Sequence, residues 1–314
     1  MDSRDRVVTL FGGGGFLGRY AVQALLRTGA RVRIAQRDPR SAFFLKPLAA
    51  VGQVQLVAAD IRDSAAVAKA VAGSDSVVNL VGILKGDFDG LHVGGARNVA
   101  EAAAAAGAGA LVHVSAIGAD PQSLSAYGRS KGRGEAAVRS AFPGATILRP
   151  SILFGREDNF INRFAGMARL APALPVVSGG TKLQPVYAAD VGRAVAAAAL
   201  DPSRHGGRTF ELGGPQVLTM RALMEWVCEA TGRGRPLIDI PDPVGRLIAR
   251  TTGWLPGAPI TWDQWLMLRQ DNVVAEGAEG LEAFGLAKTP LAAVSEGWLT
   301  RYRRHGRFAA KSPY

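Results

Sequence analysis

Residues 7–18 constrain this chain more than any other stretch. An apolar run, Val7-Val-Thr-Leu-Phe11, breaks into four glycines, and apolar residues then return at helical spacing. The run has the length of a strand, the glycines mark a tight turn, and the 3.6-residue period beyond them marks a helix. Gly12, Gly15 and Gly18 are spaced G-x-x-G-x-x-G. Glycines at this spacing let the turn bend sharply, let a dinucleotide pyrophosphate approach backbone amides at the helix start, and let the helix pack closely on the sheet. Gly12, Gly15, Phe16, Leu17 and Gly18 are therefore the candidate pyrophosphate contacts.

The rest of the first half repeats the alternation. Residues 19–28 carry Tyr20, Val22, Leu25 and Leu26 at helical spacing before Gly29. Strands are predicted at 32–36, 54–58, 76–81 and 110–115, with helices at 65–71 and 95–106 between them. Strands alternating with helices demand parallel pairing with right-handed crossovers, that is, a doubly wound parallel α/β sheet. The expected organisation is a nucleotide-binding domain over 1–234, with about 155–185 contributing to a second lobe, and a smaller C-terminal lobe over 235–314.

Several side chains then acquire candidate roles from their places in such a sheet. An acidic residue at the end of the second strand would bind ribose hydroxyls and repel a 2′-phosphate. This chain has Gln36 and Arg37 there. The planar guanidinium of Arg37 suits the 2′-phosphate, so NADPH is expected in preference to NADH, with Asp38 keeping the latter open. Asp60, followed by Ile61, stands just beyond the third strand; it either meets the adenine or caps the next helix. Leu80, Val81 and Gly82 follow the fourth strand, where a glycine lets backbone approach the middle of a cofactor. Tyr127 and Lys131, four apart, share one helix face, and the ammonium is expected to lower the phenol's pKa toward proton transfer. Ser115, at the end of the fifth strand, joins them as a candidate catalytic group.

Together, Gly12-x-x-Gly15-x-x-Gly18, Asp60-Ile61, Asn79-Leu80-Val81-Gly82, Ser115, Tyr127-x-x-x-Lys131 and Arg149-Pro150-Ser151 resemble the extended branch of the short-chain dehydrogenase/reductase superfamily. That resemblance implies a Rossmann-like sheet, with Pro150 near the cofactor and Tyr127 and Lys131 at the nicotinamide end. Catalytic members usually carry a substrate-orienting hydroxyl one residue after Ser115, and here that residue is Ala116. Three further segments are similar to a narrower family: Ser140-Ala-Phe-Pro143, Phe154-Gly-Arg-Glu-Asp-Asn-Phe160 and Gln184-Pro-Val-Tyr-Ala-Ala-Asp-Val191. They resemble the nucleotide-binding accessory subunits of respiratory complex I. The resemblance implies a subunit that holds NADPH structurally, with Tyr127, Lys131 and Ser115 vestigial, and with the other subunits of the complex as partners. A free NADP(H)-dependent reductase or epimerase using Tyr127 and Lys131 is the alternative.

Charge and composition bear on partners. A net charge of +11 suits an acidic partner surface or anionic lipid. With no helix-turn-helix and no aromatic-interleaved basic platform, nucleic acid is not expected. Cys228, the single cysteine, excludes an intrachain disulfide and a cysteine-rich metal site. Residues 1–6 are polar with mixed charge, and no stretch reads as a signal, transit or membrane-spanning segment. The expected location is the bacterial cytoplasm, peripheral on the inner membrane. Residues 244–251, with Arg246 and Arg250, precede Trp254, Trp262 and Trp265; these form either a peripheral contact with anionic membrane or a small tryptophan-anchored core. The basic run from Arg301 to Arg307 is either a solvated helix end or a docking strip.

Overall fold

Seven short strands pair in parallel, and their order creates the site. The computed structural model describes residues 6–255, 258, 260–304 and 306. Strands β1 (Val7–Phe11), β2 (Arg31–Gln36), β3 (Val54–Ala58), β4 (Ser76–Asn79), β5 (Ala110–Val114), β6 (Thr146–Pro150) and β7 (Thr209–Leu212) form one sheet. Their spatial order is β7-β6-β5-β4-β1-β2-β3, and every neighbouring pair is parallel. Strand β1 therefore has β2 on one side and β4 on the other. Chain direction across the sheet reverses at that point, where doubly wound folds leave a crevice beyond the strand ends.

The flanking helices are α1 (Phe16–Arg27), α2 (Ser64–Val71), α3 (Ala96–Ala105), α4 (Ala126–Ala141) and α5 (Ala188–Leu200). Strands β4 and β5 are buried along their whole length, as expected of parallel strands covered on both faces. Alanine dominates the buried faces of α3 and α5, which permits close helix–sheet approach. Strand β4 stops at Asn79, two residues before its expected end, because the Asn79 side chain takes the Val81 amide at 3.0 Å.

Two compact units are present. The first takes the chain up to Pro150, Ala188–Leu212 and Val274–Ala287; the second takes Ser151–Tyr187, Gly213–Val273 and the chain from Lys288. The sequence is read as a domain over 1–234, with about 155–185 contributing to a second lobe, and a smaller lobe over 235–314. In the structure the chain returns to the first unit to lay down β7 and leaves it again after Leu212.

In the second unit, helices Ile161–Leu170, Met220–Ala230 and Leu291–Leu299 share a core that includes Phe154, Leu174, Leu223, Val227 and Trp298. Asp158 accepts the amides of Phe160, Ile161 and Asn162, capping the turn before the first of these helices. Cys228 is buried among them and burial pushes its thiol up, so it is inert. The tryptophans divide: Trp265 is 2% exposed and packs with Ala249 and Ile260, whereas Trp254 is 78% exposed. In the basic tail Arg301 bonds the Asn162 side chain and Arg303 the Ala230 carbonyl, while His305 and Arg307 lie outside the described residues.

Candidate nucleotide site

The site grows from the end of β1. Gly12 has φ of 82°, a conformation that only glycine adopts readily, and its carbonyl accepts the Gly15 amide at 3.0 Å to close the turn. Helix α1 starts directly behind it with Gly15 as N-cap and no side-chain cap, so its first amides are open to an anion. A Cβ on Gly18 would lie 2.4 Å from the Gly12 carbonyl oxygen and 2.5 Å from that of Gly13. Helix and turn thus meet backbone to backbone. Leu17 is buried, and the Phe16 ring packs edge-on against Tyr20.

The loop after β4 lies against this turn. Leu80 donates its amide to the Phe11 carbonyl at 3.0 Å, and a Cβ on Gly12 would touch Val81 at 3.4 Å. A Cβ on Gly82 would lie 3.4 Å from Lys131 Nζ and 3.8 Å from His92 Nε2. Gly12, Gly15, Leu80, Val81, Gly82 and Lys131 are therefore brought together at the switch point.

At the other end, Gln36 replaces the usual acid with a different task. Its Oε1 accepts the Gly14 amide at 2.9 Å, while its Nε2 donates to the Asp38 carbonyl at 2.7 Å and to Ser41 Oγ at 2.6 Å. Sequence reasoning registers Gln36 only as a missing carboxylate. Arg37 is exposed. Asp60 is gripped by Arg62, with contacts of 2.6 Å to Oδ2 and 3.1 Å to Oδ1, which hold its carboxyl down at about 2; Arg37 adds a smaller pull. Capping of α2 falls instead to Asp63, which accepts the Ala65 and Ala66 amides. Ile61 is buried, and its carbonyl accepts Asn98 Nδ2 at 2.8 Å.

Helix α4 carries the second constellation, capped by Ser125, whose side chain takes the Gly128 amide at 3.2 Å. Lys131 is 4% exposed; its Nζ donates to the Val114 carbonyl at 3.0 Å, and burial lowers its pKa to about 8. Tyr127 departs from expectation. Burial raises its phenol to about 12, because a desolvated phenolate is disfavoured, and Lys131, whose ammonium bonds the Val114 carbonyl, does not lower it. The expected downward shift is corrected accordingly.

Two histidines carry no signal in the sequence. His92, in a π-helical turn over Asp89–Gly95, accepts the Ile83 amide at Nε2 (3.0 Å) and contacts Ser130 Oγ through Nδ1 (2.8 Å). Ser130 in turn donates to the Tyr127 carbonyl at 2.8 Å. With Nε2 accepting, Nδ1 carries the proton, and burial drives the imidazole down to about 3, so it stays neutral. His92 ties the loop beyond Gly82 to α4. His113 on β5, opposite Asn79, is likewise lowered to about 3 by burial. A π-turn leaves no mark in hydrophobic periodicity, which is why His92 goes unnoticed there.

Ser115 is 3% exposed, and its Oγ has no hydrogen-bond partner among the described residues. Ala116 beside it supplies no hydroxyl. Pro150 is buried at the end of β6, its carbonyl accepting the Ile117 amide at 3.1 Å. The glycine turn, the open helix start and the orphaned Ser115 hydroxyl fit a nicotinamide dinucleotide. Among the described residues no His, Cys, Asp and Glu cluster could hold a metal.

Strand order, glycine turn and Tyr–Lys helix define the class: a Rossmann-like dinucleotide-binding protein of the extended short-chain dehydrogenase type. Solved structures agree on the fold. The Escherichia coli NADPH-dependent quinone oxidoreductase complexed with NADPH superimposes with a TM-score of 0.75 at 21% identity, over 93% of this chain and 99% of that one. A triphenylmethane reductase from Citrobacter gives 0.76 at 20% identity, over 93% and 99% of the respective chains. The NAD(P)H-binding family model matches residues 12–202.

Sequence relatives narrow the class. Mitochondrial NADH dehydrogenase (ubiquinone) 1 alpha subcomplex subunit 9 of Rattus norvegicus is 38% identical over 307 residues, 95% of this chain and 81% of the relative. The mitochondrial NADH-ubiquinone oxidoreductase 40 kDa subunit of Neurospora crassa is 32% identical over 302 residues, 94% of this chain and 79% of the relative. A ceramide reductase of Caulobacter vibrioides is 32% identical over 249 residues, 76% and 74% of the two chains. The chain belongs to the NAD(P)H-binding family and, within it, to the family of the complex I alpha subcomplex subunit 9.

Proposed function

We propose that this chain is an accessory subunit of a respiratory NADH:quinone oxidoreductase, in which it holds NADPH in a mainly structural role. The observation that carries this reading is extent. Likeness to the alpha subcomplex subunit covers 95% of the chain, well beyond the nucleotide-binding family match at 12–202. The site supports a held rather than a consumed cofactor. Ala116 offers no hydroxyl to position a substrate oxygen, and a phenol at about 12 is a poorer proton donor than free tyrosine.

Within this reading, Gly12, Gly15, Phe16, Leu17 and Gly18 hold the pyrophosphate, Arg37 favours the 2′-phosphate of NADPH over NADH, and Leu80, Val81, Gly82 and Pro150 line the cofactor. Lys131 holds the nicotinamide ribose. A nicotinamide held there would supply hydride chemistry, and no residue here is asked to complete it. Other subunits of the complex are the partners, and nucleic acid is not one. The location is the cytoplasmic face of a bacterial inner membrane. No helix among the described residues is long and apolar enough to cross a membrane. A peripheral contact with anionic lipid is supported by helix Asp242–Thr252 and the turn after it, where Leu247 and Trp254 are 62% and 78% exposed beside Arg246 and Arg250.

A second reading, a free NADP(H)-dependent reductase, is favoured by the intact Tyr127 and Lys131 and by the ceramide reductase relative. Comigration separates the two. Membranes solubilised in mild detergent and resolved under native conditions should carry the chain with NADH:quinone oxidoreductase activity; a chain that always runs apart from that activity refutes the subunit reading.

A further inference from the structure

The connection from β2 to β3 carries a surface that the nucleotide site leaves unused. Pro39–Leu48 forms a ten-residue 3-10 run opened by Asp38, whose carboxylate accepts the Arg40 amide at 3.0 Å. Runs of this length are uncommon, because the eclipsed i, i+3 side chains and poorer hydrogen bonds need outside support. Ala42 and Leu45, three apart, supply it from the inside and are fully buried. Phe43, Phe44 and Leu48 face solvent at 51%, 44% and 47% exposure, and Val51 stands out entirely. A single exposed apolar residue needs no explanation; four within nine positions do.

Cations frame the patch. Arg19 lies 4.8 Å over the Phe44 ring and Lys46 lies 4.5 Å over Phe43, with Arg40 exposed beside them. Asp38 is the one acid between residues 37 and 53, and its carboxylate is engaged in the cap. Aromatic rings with arginine at an apolar centre are the composition of protein-binding hot spots. Anchoring in lipid calls for cations extended outward to headgroups and for tryptophan or tyrosine. Here two cations are folded down onto the rings, and neither residue type is present in the segment. A symmetric contact with a second copy would set the three cations against their own counterparts.

The geometry points to Phe43, Phe44, Leu48 and Val51, framed by Arg19, Arg40 and Lys46, as a docking surface for an apolar patch with an acidic rim on a neighbouring protein subunit. This rests on the proposed subunit role. The surface is joined to the nucleotide turn: Gln36 bonds both the Gly14 amide and Ser41, and Arg19 sits in the first turn of α1, its amide on the Gly15 carbonyl at 3.2 Å.

The test places the full chain with Phe43→Ser and Phe44→Ser in cells and measures the fraction comigrating with NADH:quinone oxidoreductase activity. A loss of at least about tenfold is expected. Purified variant should bind NADPH within about twofold of the unsubstituted chain, and should bind phosphatidylglycerol–phosphatidylethanolamine vesicles equally well. Lys46→Glu with Arg40→Glu should give a similar loss. Unchanged comigration of both variants overturns the surface and leaves the subunit reading standing. Loss of vesicle binding alongside comigration makes the patch a lipid contact and overturns it. Loss of a dimer on sedimentation assigns the patch to a second copy and likewise overturns the proposal. If the unsubstituted chain fails to comigrate, the subunit reading falls and the surface with it.

Discussion

Gly18→Ala tests the cradle most sharply, because the added methyl has nowhere to go. Its Cβ would stand 2.4 Å from the Gly12 oxygen, 2.5 Å from the Gly13 oxygen and 2.6 Å from the Gly13 carbonyl carbon. All three are backbone atoms of the turn, so no flexible side chain can yield. Overpacking of this kind costs about 1–3 kcal/mol. Movement of the Gly12 carbonyl also strains its 3.0 Å bond from the Gly15 amide, worth about 1 kcal/mol net. A loss of about 2–4 kcal/mol lowers Tm by roughly 4–16 °C for a domain of this size. Displacing the turn also shifts the amides offered to the pyrophosphate, and about 1.4 kcal/mol there is already tenfold in Kd. Thermal unfolding with and without NADPH, alongside fluorescence titration of NADPH, reads both effects. Gly166→Ala is the control: it lies inside helix Ile161–Leu170, a Cβ there meets nothing within 4 Å, and alanine should stabilise by about 0.5–1 kcal/mol. A Gly18→Ala protein as stable as the control, with unchanged NADPH affinity, would refute the reasoning.

Arg37→Asp should weaken NADPH more than NADH in the same titration; equal effects remove Arg37 from the 2′-phosphate site. Tyr127→Phe should leave assembly and quinone reduction intact, and lost turnover would assign chemistry to the phenol. Asp60 has a folded pKa of about 2 against 3.8. Its pairing therefore stabilises fully above about pH 4 and fades as pH falls toward 2, so the small Tm deficit of Asp60→Asn at pH 7 should vanish in acid. Lys131 is depressed from 10.5 to about 8. Between those values the unfolded chain binds the extra proton, so the stability of the nucleotide-free wild type relative to Lys131→Met should rise as pH climbs from 8 to 10.5. A pH-independent difference between the two contradicts the buried, desolvated ammonium.

The legible part of the fold is the part written in local periodicity. The change from strand run to glycines to helical spacing at residues 7–18 marks β1, the turn and α1, and the alternation continues through β5. Strand β7 is not legible, because four residues at Thr209–Leu212 pair with β6 some sixty positions earlier, and nothing local announces such a pairing. At the site, the spacing of Tyr127 and Lys131 is visible but the sign of the tyrosine shift is not. Spacing reports which groups are near; burial, which decides the shift, depends on Phe88 and His92 packing edge-on around the ring. Gln36 shows the converse error. Read as an absent acid, it is the side chain that joins the glycine turn to the segment carrying Phe43 and Phe44.

The central claim is that a nucleotide is held, rather than turned over, inside a respiratory complex. Its most direct test is mass spectrometry of the small molecules released when the natively purified NADH:quinone oxidoreductase is denatured. The account predicts this chain among the subunits, with NADPH in roughly equimolar amount and still present after the complex has turned over with NADH and quinone. A complex that contains the chain but releases no NADPH, or releases it oxidised after turnover, would contradict it.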